Sequence, residues 1–361
     1  MKLRLFRINP AMHKGVIYAL AAAALFGAST PFAKTLVGQV PPVLLAGLLY
    51  LGSGIGLLVW FLFRSAVARA KETAEAHVTA KDAPWLAGAI LFGGIAGPVL
   101  LMTGLALTPA STASLLLNME GVLTALLAWF VFKENFDRRI FLGMVLIVLG
   151  GAVLSWEQRP ALGVPWGPIA IVAACLCWAI DNNLTRKVSA SDAVQIAGIK
   201  GLVAGAVNLS IALVLGMSMP RLGTALTAGI VGFCGYGLSL VLFVLGLRNL
   251  GTARTGAYFS VAPFVGAVIS LFIFPEAPSA GLMVAGALMG LGVWLHLTEK
   301  HEHEHSHEAL EHTHEHSHDE HHQHEHDFPL DGNSSHTHLH RHEPMTHSHA
   351  HFPDIHHRHP H

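Results

Sequence analysis

Apolar residues run through the first 300 positions in long blocks separated by short polar breaks. Ten blocks can be drawn, at 15–37, 42–63, 84–107, 110–132, 139–156, 166–187, 194–216, 224–247, 252–274 and 279–297. A run of about 20 apolar residues is the length a helix needs to cross the hydrocarbon layer. In lipid the backbone must satisfy its own hydrogen bonds, so such runs are read as helices. The pattern predicts an all-α integral membrane protein with ten transmembrane helices. The connections are short except 64–83, which is polar and carries "ARAKETAEAHVTAKD".

The blocks repeat. The segment "GLALTPASTASLLLNMEGVLTALLAWFVFKE" (104–134) aligns without a gap on "GLRNLGTARTGAYFSVAPFVGAVISLFIFPE" (246–276), an offset of 142 residues. Gly104 falls on Gly246, Ala125 on Ala267, Phe132 on Phe274 and Glu134 on Glu276. More loosely, "FGASTPFAK" (26–34) matches "WAIDNNLTR" (178–186), with Lys34 on Arg186. Each half holds five spans, an odd number, so the second half enters the membrane the other way up. Inverted repeats are the architecture of many secondary transporters, with the solute site near the midplane between the halves. The expected organisation is an N-terminal segment at 1–14, five-helix repeats at 15–156 and 166–297, and a His-rich tail at 298–361.

Composition and charge sharpen this. Of 361 residues, 52% are apolar and 12% charged, and 12 of the 23 acids lie from His301 onward. So few charges cannot cover a water-soluble body of that size. The net charge of -1 gives no basic field for nucleic acid. Cys175, Cys177 and Cys234 fall inside apolar spans, which argues against a disulfide framework. With the N-terminus inside, sixteen Lys and Arg fall in cytoplasmic segments and three (Lys34, Arg159, Arg221) outside. The positive-inside rule therefore places both termini in the cytoplasm. No nucleophile–base pattern or phosphate-cradling loop marks an enzyme.

The ten spans, the two five-helix repeats and the short fourth span ending in Glu134 resemble the drug/metabolite transporter superfamily, EamA type. "NMEGVLTALLAWFVFKENF" (118–136) is similar to that family's fourth-helix signature, and "SVAPFVGAVISLFIFPE" (260–276) to its counterpart in the second half. Members commonly carry Pro where this chain has Gly121; Pro263 keeps it in the second half. The resemblance covers about 15–297. It implies cytoplasmic termini and transport of a small solute, a class that includes amino acids, nucleotide sugars and drugs.

Ionisable groups inside lipid are costly and mark candidate sites. Glu120 lies deepest, roughly 15 Å into its span. It is read as a proton-coupling or cation-binding group, against the alternative of a permanently protonated acid bonded to a neighbouring helix. Ser111, Ser114, Asn118, Gly121 and Ala125 share one face of the same helix, a stripe repeated as Ala253, Gly256, Ser260, Pro263 and Ala267. Close packing is the favoured use of such small residues. In an unbroken helix Asn118 and Glu120 diverge by about 200°, so Glu120 ranks ahead of Asn118. Asp181, Asn182 and Asn183 form the densest polar cluster in the spans, with Lys200 at a similar depth in the next. Asp181 and Lys200 could pair with each other, or serve the two ends of a zwitterion. The candidate set for solute or proton is thus Glu120, Asn118, Asp181, Asn182, Asn183, Lys200 and Ser260. Trp178 and Tyr236 are candidates for the border of a cavity.

Residues 301–361 hold 23 of the 26 histidines, among them His301, His303, His305, His307, His312, His314, His316, His318, His321, His322, His324 and His326. The tail lacks the apolar residues for a core, so disorder is expected. Imidazoles at His-X-His spacing with interspersed carboxylates should bind Zn, Ni, Co or Cu. The spans contain too few ligands for an evident metal path. Three readings follow: a carrier, outward by expectation, for a small metabolite such as an amino acid with a metal-responsive tail; a divalent-metal exporter fed by the tail; and a membrane-anchored metal buffer. No required cofactor is implied, the oligomeric state is open, and a bacterial inner membrane is the expected location.

Overall fold

A computed structural model of the chain describes residues 10–67, 78–132, 138–157, 164–188, 191–250, 252–275 and 277–298. In the tail it describes 302–307, 310–316, 336–342 and 345–350. Among the described residues, ten helical segments are long and apolar enough to cross a membrane. They are span 1 (Lys14–Val37), span 2 (Pro42–Arg64), span 3 (Ala83–Leu107), span 4 (Ala110–Leu127) and span 5 (Arg138–Glu157). The second five are span 6 (Trp166–Thr185), span 7 (Ala193–Val214), span 8 (Leu222–Leu247), span 9 (Thr255–Ile273) and span 10 (Ala280–Leu297). Their outward faces are apolar, with Phe272 86% and Val214 87% exposed, as a lipid-facing surface requires.

The halves interlock through glycine. Gly201 meets the backbone of Gly54, and Gly205 that of Leu51, which joins span 7 to span 2. Gly232 abuts the Leu49 carbonyl, and Gly292 that of Gly143, joining span 8 to span 2 and span 10 to span 5. In lipid, where water no longer drives helices together, such backbone approach is the main source of association. Span 1 lies against spans 8 and 9, and span 6 against spans 3 and 4. Each half therefore cradles the first helix of the other, as an inverted duplication demands.

Four of the spans are irregular at repeat-related places. Span 4 is interrupted between Ala110–Leu116 and Met119–Phe132, and span 9 between Thr252–Phe259 and Ala262–Ile273. The unbroken helix expected around Asn118 is thus corrected. The cause is local. Asn118 turns its amide back onto the Leu115 carbonyl (3.0 Å), offering the chain an alternative to the helical ladder. In span 9, Pro263 has no N–H to give and opens the second half-helix. Span 3 widens into a π-helical stretch at Ile90–Ala96 and span 8 at Phe233–Leu238. In span 3, Pro98 supplies no N–H to the carbonyls four and five residues back. Those carbonyls are taken by side chains instead: Tyr50 Oη (2.7 Å) and Trp178 Nε1 (3.0 Å) donate to Gly93, and Asn208 Nδ2 (3.0 Å) to Gly94. Such π-turns often mark functional positions.

Residues 300–361 form a separate unit. Its described backbone consists of β1 (Glu302–His307), β2 (Leu310–His316), β3 (His336–His342) and β4 (Met345–Ala350). β1 pairs antiparallel with β4, setting His303 opposite His349, and β2 with β3, setting His312 opposite His340. Histidine at every second position matches the period of a strand, while two-stranded ribbons are marginal by themselves. The tail-histidine side chains lie outside what is described, and His301, His318, His321, His322, His324 and His326 lie outside the described residues altogether.

Candidate functional site

A cavity lies between the halves, walled by spans 1, 2, 4, 6, 7, 8 and 9. It takes the interrupted span 4 at Glu120, the end of the first half of span 9 at Phe259, and the widened turn of span 8 at Gly235 and Tyr236. It extends toward the end of the bundle where span 1 begins, through Ala197 near the start of span 7 and Phe243 near the end of span 8. The opposite end is filled. Leu44, Leu45, Leu49, Leu101, Met102, Leu105 and Leu116 are all fully buried there.

Four of the seven candidate residues line this cavity: Glu120, Asp181, Asn182 and Lys200. Glu120 stands in the first turn of the second half of span 4, where the helix dipole favours a negative group. Its Oε1 accepts from Asn182 Nδ2 at 2.8 Å. Lys200 and Asp181 pair with each other, Nζ donating to Oδ1 at 2.6 Å and to Oδ2 at 2.8 Å. Thr185 completes the set, donating to Asp181 Oδ1 (2.8 Å) and accepting from Lys200 (3.2 Å). Both side chains are buried, at 3% and 9% exposure. Of the two uses open to Asp181 and Lys200, the geometry shows the ion pair. Gly93 leaves room for it, since a Cβ there would stand 1.8 Å from Asp181 Oδ2.

The other three candidates are turned onto their own helices. Asn118 donates to Leu115, Asn183 to the Ala179 carbonyl (2.8 Å), and Ser260 to that of Gly256 (2.9 Å). Asn118 and Ser260 are repeat partners, so the same use recurs at both interruptions. The small-residue stripe packs: Gly266 of span 9 closes on Ser114 of span 4, and Gly121 faces Ser260. Cys175 is buried and free, and Cys177 is half-buried and free.

Trp178 and Tyr236 line the cavity, as do aromatics that the sequence reading passed over: Phe26, Tyr50, Phe243 and Phe259. Phe26 meets Trp178 edge-on at 5.7 Å and Phe259 at 5.4 Å, and Tyr50 meets Tyr236 at 5.3 Å. A signal for Phe26 existed, because the loose repeat sets it on Trp178. Among the described residues, no group of three or more His, Cys, Asp and Glu is placed to hold a metal ion. His296 bonds the Ile140 carbonyl (3.1 Å) at the junction of spans 10 and 5, away from the cavity lining.

Two inverted five-helix halves, paired interrupted helices and a polar-aromatic cavity between them define a multi-pass membrane carrier. The chain belongs to the EamA-like transporter family, which matches it twice, over residues 13–156 and 165–298. An uncharacterized transporter of Methanothermobacter thermautotrophicus is 30% identical over 299 residues, covering 78% of this chain and 85% of its own. The uncharacterized inner membrane transporter YedA of Escherichia coli is 24% identical over 238 residues, 63% of this chain and 72% of YedA. The uncharacterized transporter YyaM of Bacillus subtilis is 24% identical over 212 residues, 54% of this chain and 68% of YyaM. A solved crystal structure shares the fold at 20% identity and a TM-score of 0.60, covering 79% of this chain and 94% of that one.

Proposed function

We propose that this transporter carries a small organic solute through the cavity between its halves, outward across a bacterial inner membrane, with both termini in the cytoplasm. The observation that carries this reading is Glu120: a carboxyl at an interrupted helix, lining a cavity and held by a neutral partner, Asn182. Such a group can exchange a proton or a cation for the solute during the cycle. The orientation rests on the distribution of Lys and Arg. On that orientation the cavity extends toward the cytoplasm and the leucine-filled end faces outward, the arrangement of a carrier ready to load from inside.

The tail is proposed to bind Zn, Ni, Co or Cu through its histidines, as a regulator or buffer. The competing reading, in which metal is the cargo and the tail its collector, is favoured by that same histidine content. It finds less support in the cavity, where Asp181 is spent on Lys200 and Glu120 is the remaining carboxylate lining it. A desolvated divalent ion needs more ligands than that.

Flux in proteoliposomes decides between them, comparing full-length protein with a truncation after Lys300. The proposal expects the truncated body to exchange organic solutes at the full-length rate, Glu120→Gln to stop that exchange, and neither form to move Ni²⁺, Co²⁺ or Zn²⁺. Metal flux that is abolished by Glu120→Gln would make metal the cargo.

A further inference from the structure

The charges in the cavity wall are committed unevenly, and this limits what the cavity can hold. Lys200 is its ammonium, with three protons to give. They go to Asp181 Oδ1, Asp181 Oδ2 and Thr185 Oγ1. No donor on Lys200 remains for a carboxylate brought in by a solute. The N-terminus of the second half of span 4 already faces an anion, the carboxyl of its own Glu120.

Glu120 is in the opposite condition. It lines the cavity with only the neutral Asn182 as a hydrogen-bond partner, and no cation pairs with it among the described residues. Beside it the wall is aromatic, and ring faces attract cations. Tyr236 adds a second unmet demand. It is 7% exposed, it lines the cavity, and its buried hydroxyl has only Ser29 beside it, in a contact too poorly aligned to satisfy it. A buried hydroxyl so poorly satisfied in a cavity wall has hydrogen-bonding capacity left for the ligand.

We propose that the solute is an organic cation: an ammonium on a flat apolar or aromatic body, without a carboxylate. The ammonium sits against Glu120 and the aromatic wall, and Tyr236 offers its hydroxyl to the same molecule. A zwitterionic amino acid is disfavoured, because its carboxylate would have to displace Asp181 from Lys200 or stand without a counter-charge, with only neutral donors such as Tyr236 beside it. This deepens the carrier reading above and rests on it.

The test is counterflow into proteoliposomes holding the full-length protein. Four probes share one phenyl body: 2-phenylethylamine, its N,N,N-trimethyl derivative, L-phenylalanine and 3-phenylpropionate. The trimethyl derivative cannot leak as a neutral base, so its exchange reads the protein alone. The expected result is exchange of both ammonium probes at least tenfold faster than either carboxylate-bearing probe. Glu120→Gln should abolish that exchange, and Tyr236→Phe should weaken the apparent affinity for 2-phenylethylamine several-fold. The selectivity of the unaltered protein carries the decision, so a variant that fails to fold does not spoil it. L-Phenylalanine exchanging as fast as the amine would overturn the cation preference and leave the carrier reading standing. Exchange of no probe, alongside metal flux, would overturn both. Ammonium exchange untouched by Glu120→Gln in a folded variant would overturn the role given to that carboxyl.

Discussion

Replacing Lys200 with methionine should destabilise the protein far more than replacing both Lys200 and Asp181. The single change removes a cation whose side chain is 3% exposed and leaves Asp181, 9% exposed, with a buried uncompensated charge. It also deletes three hydrogen bonds, two to the carboxylate and one to Thr185. Breaking a buried pair in this way costs about 3–5 kcal/mol, whereas replacing both members is often neutral. Lys200→Met with Asp181→Asn keeps the acceptor for Thr185 and removes both charges, so it should stay within about 1 kcal/mol of the unaltered protein. At roughly 2 °C per kcal/mol for a body of this size, the single variant should melt roughly 6–10 °C lower. Thermal unfolding of the full-length protein in detergent, followed by tryptophan fluorescence, reads the order directly. A single variant that melts with the parent, or a double variant that melts below the single one, would refute the assignment of the pair as a buried structural element. Solute exchange by the stable double variant would further show that neither charge touches the cargo.

Gly93→Ala should disturb the same pair from the other side, since its Cβ would lie 1.8 Å from Asp181 Oδ2. A loss of about 1–3 kcal/mol is expected, while Gly223→Ala, with nothing within 4 Å, should be close to neutral in the same melt. Asp192 caps span 7 by accepting from the N–H groups of Val194 and Gln195, and pairs with Arg64 at 2.7 Å. Burial pushes its carboxyl up, but Arg64 and the two backbone donors outweigh that and hold it below the ordinary carboxylate value. Its contribution is therefore complete above about pH 4 and is lost as pH falls below that. Asp192→Ala should cost about 0.5–2 kcal/mol at pH 7, and the gap to the parent should shrink in melts near pH 3. Truncation after Lys300 should remove high-capacity Ni²⁺ and Zn²⁺ binding in calorimetry and leave the melting of the body unchanged.

The ten spans were legible because lipid imposes a length and a composition that hydropathy reads directly. The interruptions were not. In span 4 the break falls at Leu117–Asn118 with neither Gly nor Pro at those two positions, and it depends on one amide turning back to Leu115. Pro263 did mark the break in span 9, but a proline within an apolar run is equally compatible with a kink. The π-turn in span 3 follows from Pro98 together with three donors on spans 2, 6 and 7, Tyr50, Trp178 and Asn208. That conjunction exists only once the helices are assembled. For the same reason the polar residues could be named but not sorted. Asn182 and Asn183 are adjacent in sequence, yet one reaches Glu120 and the other its own helix.

The duplication explains the scaffold, and departures from it locate the site. The repeat places Ser29 on Asp181, Thr30 on Asn182 and Gly235 on Gly93. The geometry repeats too: a Cβ on Gly93 would strike Asp181, and one on Gly235 would strike Ser29. Glu120 falls on Ala262, so the residues that correspond in the repeat to the bonded pair Asn182 and Glu120 are Thr30 and Ala262. Of the two repeat-related versions of the site, one carries only Ser29, Thr30 and Ala262, while the other brings the Glu120 carboxyl from the first half together with the Asn182 amide and the Asp181–Lys200 ion pair from the second. Inverted symmetry lets such a bundle present its cavity to either side of the membrane. A symmetric cavity would have no reason to bury four costly polar groups on one wall only. That wall, with Glu120 at its uncompensated point, is where a solute can be told from its neighbours.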